Sequence, residues 1–179
     1  MSGTTKNEKD RRVKRTKLLV FEAFFQMVQS SRYDELKTIH IIEKSGIGKS
    51  TFYEHFAGKD DVLSKSLEYP MSVFASSLIG GGDHENTKGV LNHFWERRMF
   101  ARVILQHPTR SVVDSCLRSL IVTELASEVT LNANSHNYAK ACLLSSGFLS
   151  LLYEWLVGRL NLSVEDMLVH IAEFSLKKR

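Results

Sequence analysis

The 179-residue chain has 43% hydrophobic residues, 25% charged residues and a formal net charge of +4, the composition of a folded, soluble protein. It lacks an apolar run of the roughly 18 residues that a membrane span requires. Its basic N-terminus is not followed by the apolar segment of a signal peptide, so we expect the protein in the cytoplasm. Its two cysteines, Cys116 and Cys142, lie in apolar contexts that favour buried thiols over a redox pair.

The positive charge is concentrated in the first third of the chain. Residues 1–59 hold 12 Lys or Arg and 7 Asp or Glu, a net charge of +5. Residues 60–179 hold 12 and 13, a net charge of −1. A basic excess in one segment indicates a polyanionic partner for that segment, although basic N-terminal tails often serve only solubility.

A polar tail and three helices are predicted in the first third. Residues 1–10 are polar and are expected to be disordered. From Arg11 to Gln29 apolar residues recur at helical spacing, which predicts a helix with an inner stripe of Leu18, Phe21, Phe24, Phe25 and Val28. Two short helices follow, over 38–45 and 49–56. Gly46 is expected to end the first in the left-handed conformation that glycine tolerates.

The remaining two-thirds contains further helical patterns and no strand signal. A long helix over 60–78 is expected to kink at Pro70. The segment GGGDHENT is the clearest loop. Further helices are predicted over 86–106, 109–131, 137–158 and 164–176. The chain is therefore predicted to be all-α.

The segment SGIGKSTFYEHF contains Gly48-Lys49-Ser50, which matches the end of a phosphate-binding loop. Such a loop follows a strand and needs another glycine at the position of Glu43, where a carboxylate would repel phosphate. A helical pattern precedes the segment instead of a strand. Nucleotide binding is therefore not predicted.

The same segment meets the requirements of a helix-turn-helix. Two short helices meet at Gly46, with apolar side chains directed to a common core at Ile41, Ile42, Ile47 and Phe52. In that motif the second helix enters the major groove of DNA, with its N-terminal residues toward the base edges. An ordinary helical hairpin with a polar outer surface fits the spacing equally well.

The segment IIEKSGIGKSTFYEHFAGKDDVL closely resembles the helix-turn-helix signature of the TetR/AcrR family of bacterial transcriptional regulators. The family's Ile-rich helix, Gly-[Val/Ile], Thr-[Leu/Phe]-Tyr-x-[His/Tyr]-Phe and Lys-[Glu/Asp] correspond here to Ile41, Gly46-Ile47, residues 51–56 and Lys59-Asp60. The resemblance covers about residues 15–63. It implies a three-helix DNA-binding domain over 11–59 and a helical ligand-binding and dimerisation domain over 60–179.

Three positions depart from the family pattern. Gly48 stands where the family usually has a capping Ser or Thr, and Ser50 replaces the usual glycine. Lys37 lies where a Thr often opens the preceding helix, with Thr38 next to it. These departures leave the implied fold unchanged but bear on which bases are read.

The resemblance assigns eight DNA-binding residues. Four correspond to positions that contact backbone phosphates: Thr38, Tyr53, His55 and Lys59. Four correspond to positions that face the groove: Lys49, Ser50, Thr51 and Glu54. The residue types agree, since Lys49 can donate to guanine and Glu54 can accept from cytosine N4. Glu54 can instead pair locally with Lys49 or Lys59.

A basic run near the N-terminus supplies further candidates for phosphate contacts. It consists of Arg11, Arg12, Lys14, Arg15 and Lys17. The same run is equally typical of a solvated helix start.

Two groups of residues in the second domain take roles from the resemblance. The apolar helix 137–158 and the last helix are expected to form a bundle with a two-fold mate, through Phe148, Leu152, Trp155, Met167, Ile171 and Phe174. A large intramolecular core is the alternative. An effector pocket is expected around Phe74, Phe94, Trp95, Arg98, Met99, Leu117 and Ile121, although such residues at helical spacing are usually core. The seven histidines lack metal-ligand spacing, so neither a metal nor another cofactor is expected.

The chain is predicted to be a homodimeric repressor that a small-molecule effector releases from a palindromic DNA operator by tilting helix 60–78. One alternative is a non-specific architectural DNA-binding protein, which binding without sequence preference would reveal. A second is an enzyme that uses the C-terminal pocket. We do not expect an enzyme, because no Ser/His/Asp, Cys/His or paired-carboxylate set is placed to support one.

Overall fold

The computed structural model describes residues 3–126 and 134–176, and every regular element in these ranges is helical, as predicted. The first helices are α1 (Gly3–Ser30), α2 (Thr38–Ser45), α3 (Lys49–His55) and α4 (Lys59–Ser66), with one 3₁₀ turn at Tyr33–Glu35. The later helices are α5 (Glu68–Leu78), α6 (His84–Glu96), α7 (Arg98–Ile104), α8 (Arg110–Ala126), α9 (Asn134–Leu156) and α10 (Val164–Phe174).

The chain divides into two compact units, residues 1–66 and residues 67–179. In the first unit α1 packs against α2 and α4. In the second unit α8 packs against α5 and α9, while α10 packs against α5 and α6. The division falls after α4 and not at residue 59, where the sequence analysis places it, because α4 packs on α1.

The continuous helix predicted over 60–78 is two helices in the structure. α4 ends at Ser66 and α5 begins at Glu68, with Leu67 between them. Pro70 has no N–H to donate, and a proline ring clashes in a continuous helix with the carbonyl four residues earlier, here that of Ser66. The kink expected at Pro70 is therefore a complete break one turn earlier.

Two other predicted boundaries differ from the structure. The helix predicted over 86–106 is divided into α6 and α7 at Arg97, which has φ −103° and ψ 26°. No proline or glycine marks this break. The loop GGGDHENT is shorter than predicted, because the Asp83 carboxylate accepts the N–H of Asn86 at 2.7 Å and caps α6, which starts at His84.

The first helix is longer than predicted and buries a different stripe. α1 begins at Gly3, so residues 3–10 are helical where the sequence predicts a disordered tail. Its buried face consists of Val20, Ala23, Phe24 and Val28. These residues keep helical spacing with one another, whereas Leu18 lies outside their stripe and is exposed.

Most of the predicted dimer residues lie in the core of the second unit. Five are buried within one chain: Phe148, Leu152, Trp155, Met167 and Ile171. α9 is packed against α7 and α8, so its apolar character is accounted for by contacts inside the chain. These five side chains are therefore not available to a partner, and of the six only Phe174, 47% exposed, is on the surface.

Gly82 lies where no side chain fits. A Cβ atom there would be 2.2 Å from the Ser77 hydroxyl oxygen and 2.5 Å from the Ser77 Cα, so the backbone would have to move. We expect Gly82→Ala to lower the free energy of unfolding by about 1–3 kcal/mol. Gly89, inside α6, has nothing within 4 Å of its Cβ position. Gly89→Ala should stabilise by roughly 0.5–1 kcal/mol.

Urea unfolding followed by circular dichroism measures both variants. Equal stability of the Gly82→Ala variant and the original protein would contradict the close contact with Ser77.

Candidate nucleic-acid interface

The turn between α2 and α3 is built on two glycines. Gly46 has φ +68°, the left-handed conformation predicted for it, and its N–H donates to the Glu43 carbonyl at 3.3 Å. Gly48 is extended, with φ −66° and ψ 146°, and no side chain caps the start of α3. α2 has the predicted bounds Thr38–Ser45, so Gly48-Lys49-Ser50 follows a helix and not the strand of a phosphate-binding loop.

Two phenylalanines attach α3 to the core of the first unit. Phe52 is fully buried and Phe56 nearly so, with their ring centroids 5.3 Å apart. The Phe56 ring meets Phe21 of α1 edge-on at 5.8 Å. From α2, Ile41 and Ile42 are also buried. One face of α3 is thereby fixed inward, as the helix-turn-helix prediction requires.

The opposite face of α3 is exposed and polar. It presents Lys49, Ser50, Tyr53 and Glu54, while Thr51 and His55 are half-buried at its edges. Tyr53 is 51% exposed and rests edge-on against Phe52 at 5.4 Å. The six residues of α3 predicted to contact DNA therefore lie on its outer side or at its edges, and none lies in the core.

Glu54 and Lys49 have no salt bridge in the part of the chain that the structure describes. The local pairing of Glu54 with Lys49 or Lys59, left open by the sequence, does not occur there. Both charged groups are therefore free to meet polar edges of a ligand.

Lys59, at the start of α4, is half-buried and bonded to Tyr33. Its ammonium donates to the Tyr33 carbonyl at 2.7 Å and lies 4.5 Å from the centroid of the Tyr33 ring. The next residue, Asp60, accepts the Tyr33 hydroxyl at 2.5 Å. Burial and this hydrogen bond raise the pKa of Tyr33 well above its usual value. Tyr33 has no local signal in the sequence for this role, because its partners lie 26 and 27 residues away.

A second set of hydrogen bonds, which we call the Lys65 clamp, joins α4 to the end of α3 and is not predicted from the sequence. The Lys65 ammonium donates to the His55 carbonyl at 2.7 Å and to the Asp61 carboxylate at 3.0 Å. The same carboxylate accepts the N–H of Ala57 at 2.9 Å. Only the i, i+4 spacing of Asp61 and Lys65 is visible in the sequence, and it predicts an ordinary surface pair.

Thr38 and the basic run complete the predicted set. Thr38 is the first residue of α2 and is half-buried. Its hydroxyl oxygen lies 3.8 Å from the point that a Cβ atom would occupy if Gly58 carried a side chain. In the basic run Lys17 is half-buried and the other four cations are exposed. None of the five forms a salt bridge within residues 3–126 and 134–176.

The predicted effector residues separate into a core group and a surface group. Phe74, Phe94, Leu117 and Ile121 are buried, and the Phe74 ring lies 5.6 Å from Phe94 and 4.7 Å from Phe148. Trp95, Arg98 and Met99 are exposed. Trp95 stacks on Trp155 at 4.8 Å, and the Arg98 guanidinium lies 5.2 Å from the Trp95 ring. Four of the seven residues therefore lie in the core and three at the surface.

The described residues contain neither a metal-binding cluster nor a membrane-spanning helix. No group of three or more His, Cys, Asp or Glu side chains there is arranged to hold a metal ion. Nor does that part of the chain contain a helix of the length and apolarity needed to cross a membrane.

The chain matches no protein-family model and no curated protein sequence. Among solved structures, the TetR transcriptional regulator from Streptococcus agalactiae 2603V covers 97% of this chain and 99% of its own, at 25% identity and a TM-score of 0.52. The chain is similar to this TetR regulator over nearly its whole length. The dihydroxyacetone kinase operon activator DhaS covers 88% of this chain and 92% of its own, at 15% identity and a TM-score of 0.50, which shows a shared fold alone. Similarity to a transcriptional regulator supports a regulatory role for this chain.

The Lys65 clamp is expected to stabilise the first unit. Lys65→Met removes the donor to His55 while keeping the length of the side chain, and should lower the free energy of unfolding by about 1 kcal/mol. Lys44→Met is the matched control, because Lys44 is an exposed lysine near the end of α2 and should change stability by at most about 0.5 kcal/mol. Thermal melting of both variants measures the difference, and equal melting temperatures would contradict the clamp.

Proposed function

We propose that the chain is a sequence-specific, DNA-binding transcriptional regulator that acts in the cytoplasm as a homodimer. The observation that carries the proposal is the orientation of α3. Phe52 and Phe56 fix one face inward, so Lys49, Ser50, Tyr53 and Glu54 face outward. A helix held in this way by a helix-turn-helix can enter a major groove with its N-terminal residues toward the bases.

The outward residues have the chemistry for reading bases. Lys49, at the first position of α3, can donate to guanine O6 and N7, and the unpaired Glu54 carboxylate can accept from cytosine N4. Ser50 and Thr51 can donate or accept. Two half-sites would then be read by two copies of α3, about 34 Å apart on one side of the duplex.

Two residues of α3 and the first residue of α2 are proposed to contact the phosphates. Thr38, Tyr53 and His55 carry neutral or titratable donors, and the cations of the basic run in α1 add charge. Contacts of this kind fix the register of the protein on the duplex without reading sequence, and they make binding depend on salt.

Selection from random duplexes tests the proposal. The original protein should enrich an inverted repeat. Glu54→Ala should enrich the same repeat but lose its preference for a C·G pair at one position in each half-site, at a cost of about 1–3 kcal/mol there. Tyr53→Phe is the control, because loss of a phosphate contact should weaken all sequences alike.

Selection that enriches no motif, while the protein still binds duplexes, would replace the proposal with non-specific architectural binding. A motif that is identical for the original protein and Glu54→Ala would remove Glu54 from the base-reading set.

The dimer interface is proposed to use the exposed side of α9 and α10, because the five residues first expected there are buried. Leu143 is 72% exposed on α9, and Phe174 is exposed on α10. The Phe174 ring packs against α9 at Gly147. A Cβ atom added to Gly147 would lie 2.9 Å from the Cζ atom of Phe174. Ser146 and Ser150 are also exposed on α9, and the exposed Lys140 lies one turn before Leu143, so this side combines apolar, small and polar residues.

One exposed and one buried leucine of α9 distinguish the interface from the core. Leu143→Glu should leave the chain folded but split the dimer. A two-fold axis places the new carboxylates of both protomers in the same interface, where they repel each other. Leu152→Glu should unfold the second unit, because Leu152 is fully buried. Sedimentation velocity gives the assembly state and circular dichroism gives the fold. A dimer that survives Leu143→Glu would place the interface elsewhere.

Control by a small-molecule effector is proposed for residues 67–179. An effector that binds the second unit would change the separation of the two copies of α3, so that they no longer match two half-sites in one duplex. We propose that the protein represses transcription and that the effector releases the protein from its operator. A promoter fusion in which the protein lowers expression supports repression, whereas raised expression would assign an activator.

A further inference from the structure

Exposed apolar side chains are grouped at α7 and the end of α6. Met99 is 72% exposed, Val103 40% and Trp95 38%. Apolar side chains that stand together on a surface mark interaction sites, whereas single ones are ordinary. We call these three residues, together with Arg98 and Arg102 between them, the α7 patch.

The α7 patch is cationic in a unit that is not. Residues 95–103 hold three Arg and one Glu, a net charge of +2, whereas residues 60–179 together have a net charge of −1. Within residues 3–126 and 134–176, neither Arg98 nor Arg102 forms a salt bridge. Their charges are therefore available to an anionic group on a partner.

Contacts with the end of α9 hold the patch in place. The Arg102 Nε donates to the Leu156 carbonyl at 2.7 Å. The Trp95 ring stacks on Trp155 at 4.8 Å, and the Arg98 guanidinium lies 5.2 Å from the Trp95 ring. Because these side chains are ordered before a partner arrives, binding costs less conformational entropy.

Two rows of side chains run along α7. Met99 and Val103, one turn apart, form an apolar row, and Arg98 and Arg102 form a cationic row beside it. The rows touch where the Arg102 Nη1 atom lies 3.8 Å from the Met99 sulfur. The complementary surface is a helix that carries apolar side chains along one row and carboxylates along the next.

We propose that the α7 patch docks an acidic amphipathic helix of a partner protein. Trp, Met and Arg are enriched in protein–protein interfaces, and Trp and Arg are frequent among the residues that contribute most of the binding energy. A nucleic-acid backbone would pair with the arginines but offer no apolar surface to Met99 and Val103. The proposal goes beyond DNA binding, because the patch belongs to the second unit and not to the helix-turn-helix.

Selection from random peptides displayed on phage, with the full-length protein immobilised, tests the docking site. The enriched peptides should combine Asp or Glu with apolar residues that recur at helical spacing. A labelled enriched peptide should bind Arg98→Glu and Met99→Glu about tenfold more weakly than the original protein in fluorescence anisotropy. Arg32→Glu is the matched control, because Arg32 is exposed in the first unit and undergoes the same change of charge. It should bind the peptide as the original protein does.

Both substituted positions of the patch are exposed, so circular dichroism should show the original fold in each variant. A selection that enriches no acidic peptide, or equal binding by all four proteins, would overturn the proposal. Weaker binding by Arg98→Glu with unchanged binding by Met99→Glu would indicate a general anion site and would also refute it. If Met99→Glu changes the assembly state in sedimentation velocity, the patch is an interface between copies of the chain and the proposal fails. None of these measurements involves DNA, so they are independent of the proposed function.

Discussion

The outward face of α3 depends on the burial of Phe52 and Phe56. A helix of seven residues is too short to be stable by itself in water. α3 is held because these two rings, one turn apart, are buried against each other and against Phe21 of α1. Since α3 has about two turns, fixing Phe52 inside the helix and Phe56 directly after its last residue fixes the direction of the other side chains. The exposed set of Lys49, Ser50, Tyr53 and Glu54 is a geometric consequence of the aromatic contacts.

The sequence predicts this part of the molecule well because its signals are local. Gly46 marks the end of α2 by its own conformation, and the Phe52–Phe56 spacing marks the inner face of α3. The start of α6 is also set by local chemistry, the Asp83 carboxylate, although the helix begins at His84 and not at the predicted residue 86. The break at Arg97 is different. It has no glycine or proline, so no residue in its neighbourhood indicates that α6 ends there.

The prediction for α9 fails for a non-local reason. Its apolar residues show that several sides of the helix must be covered, but they do not show which element covers them. In the structure α7 and α8 pack against it, and Leu152 and Trp155 are buried by the chain's own helices. The exposed side of α9 that remains for a partner carries Leu143 together with Lys140, Ser146 and Ser150, and this mixed set has no apolar periodicity that would mark it in the sequence. An interface and a core have the same hydrophobic periodicity, and only the tertiary packing separates them.

The contacts of Lys59 also depend on tertiary packing and could not be predicted from the sequence. A motif match fixes the type of residue and its place at the start of α4, but the partner of a flexible lysine depends on which acceptors lie within reach. Here the acceptor is the Tyr33 carbonyl, 26 residues earlier in the chain. Lys65 is likewise held by the His55 carbonyl. Both ammonium groups donate to neutral backbone carbonyls and keep their charge, so they add to the positive charge that Lys44, Lys49 and the exposed cations of α1 offer a polyanion. The charge count of the sequence locates the basic unit correctly but does not say which of its lysines also bond within the chain.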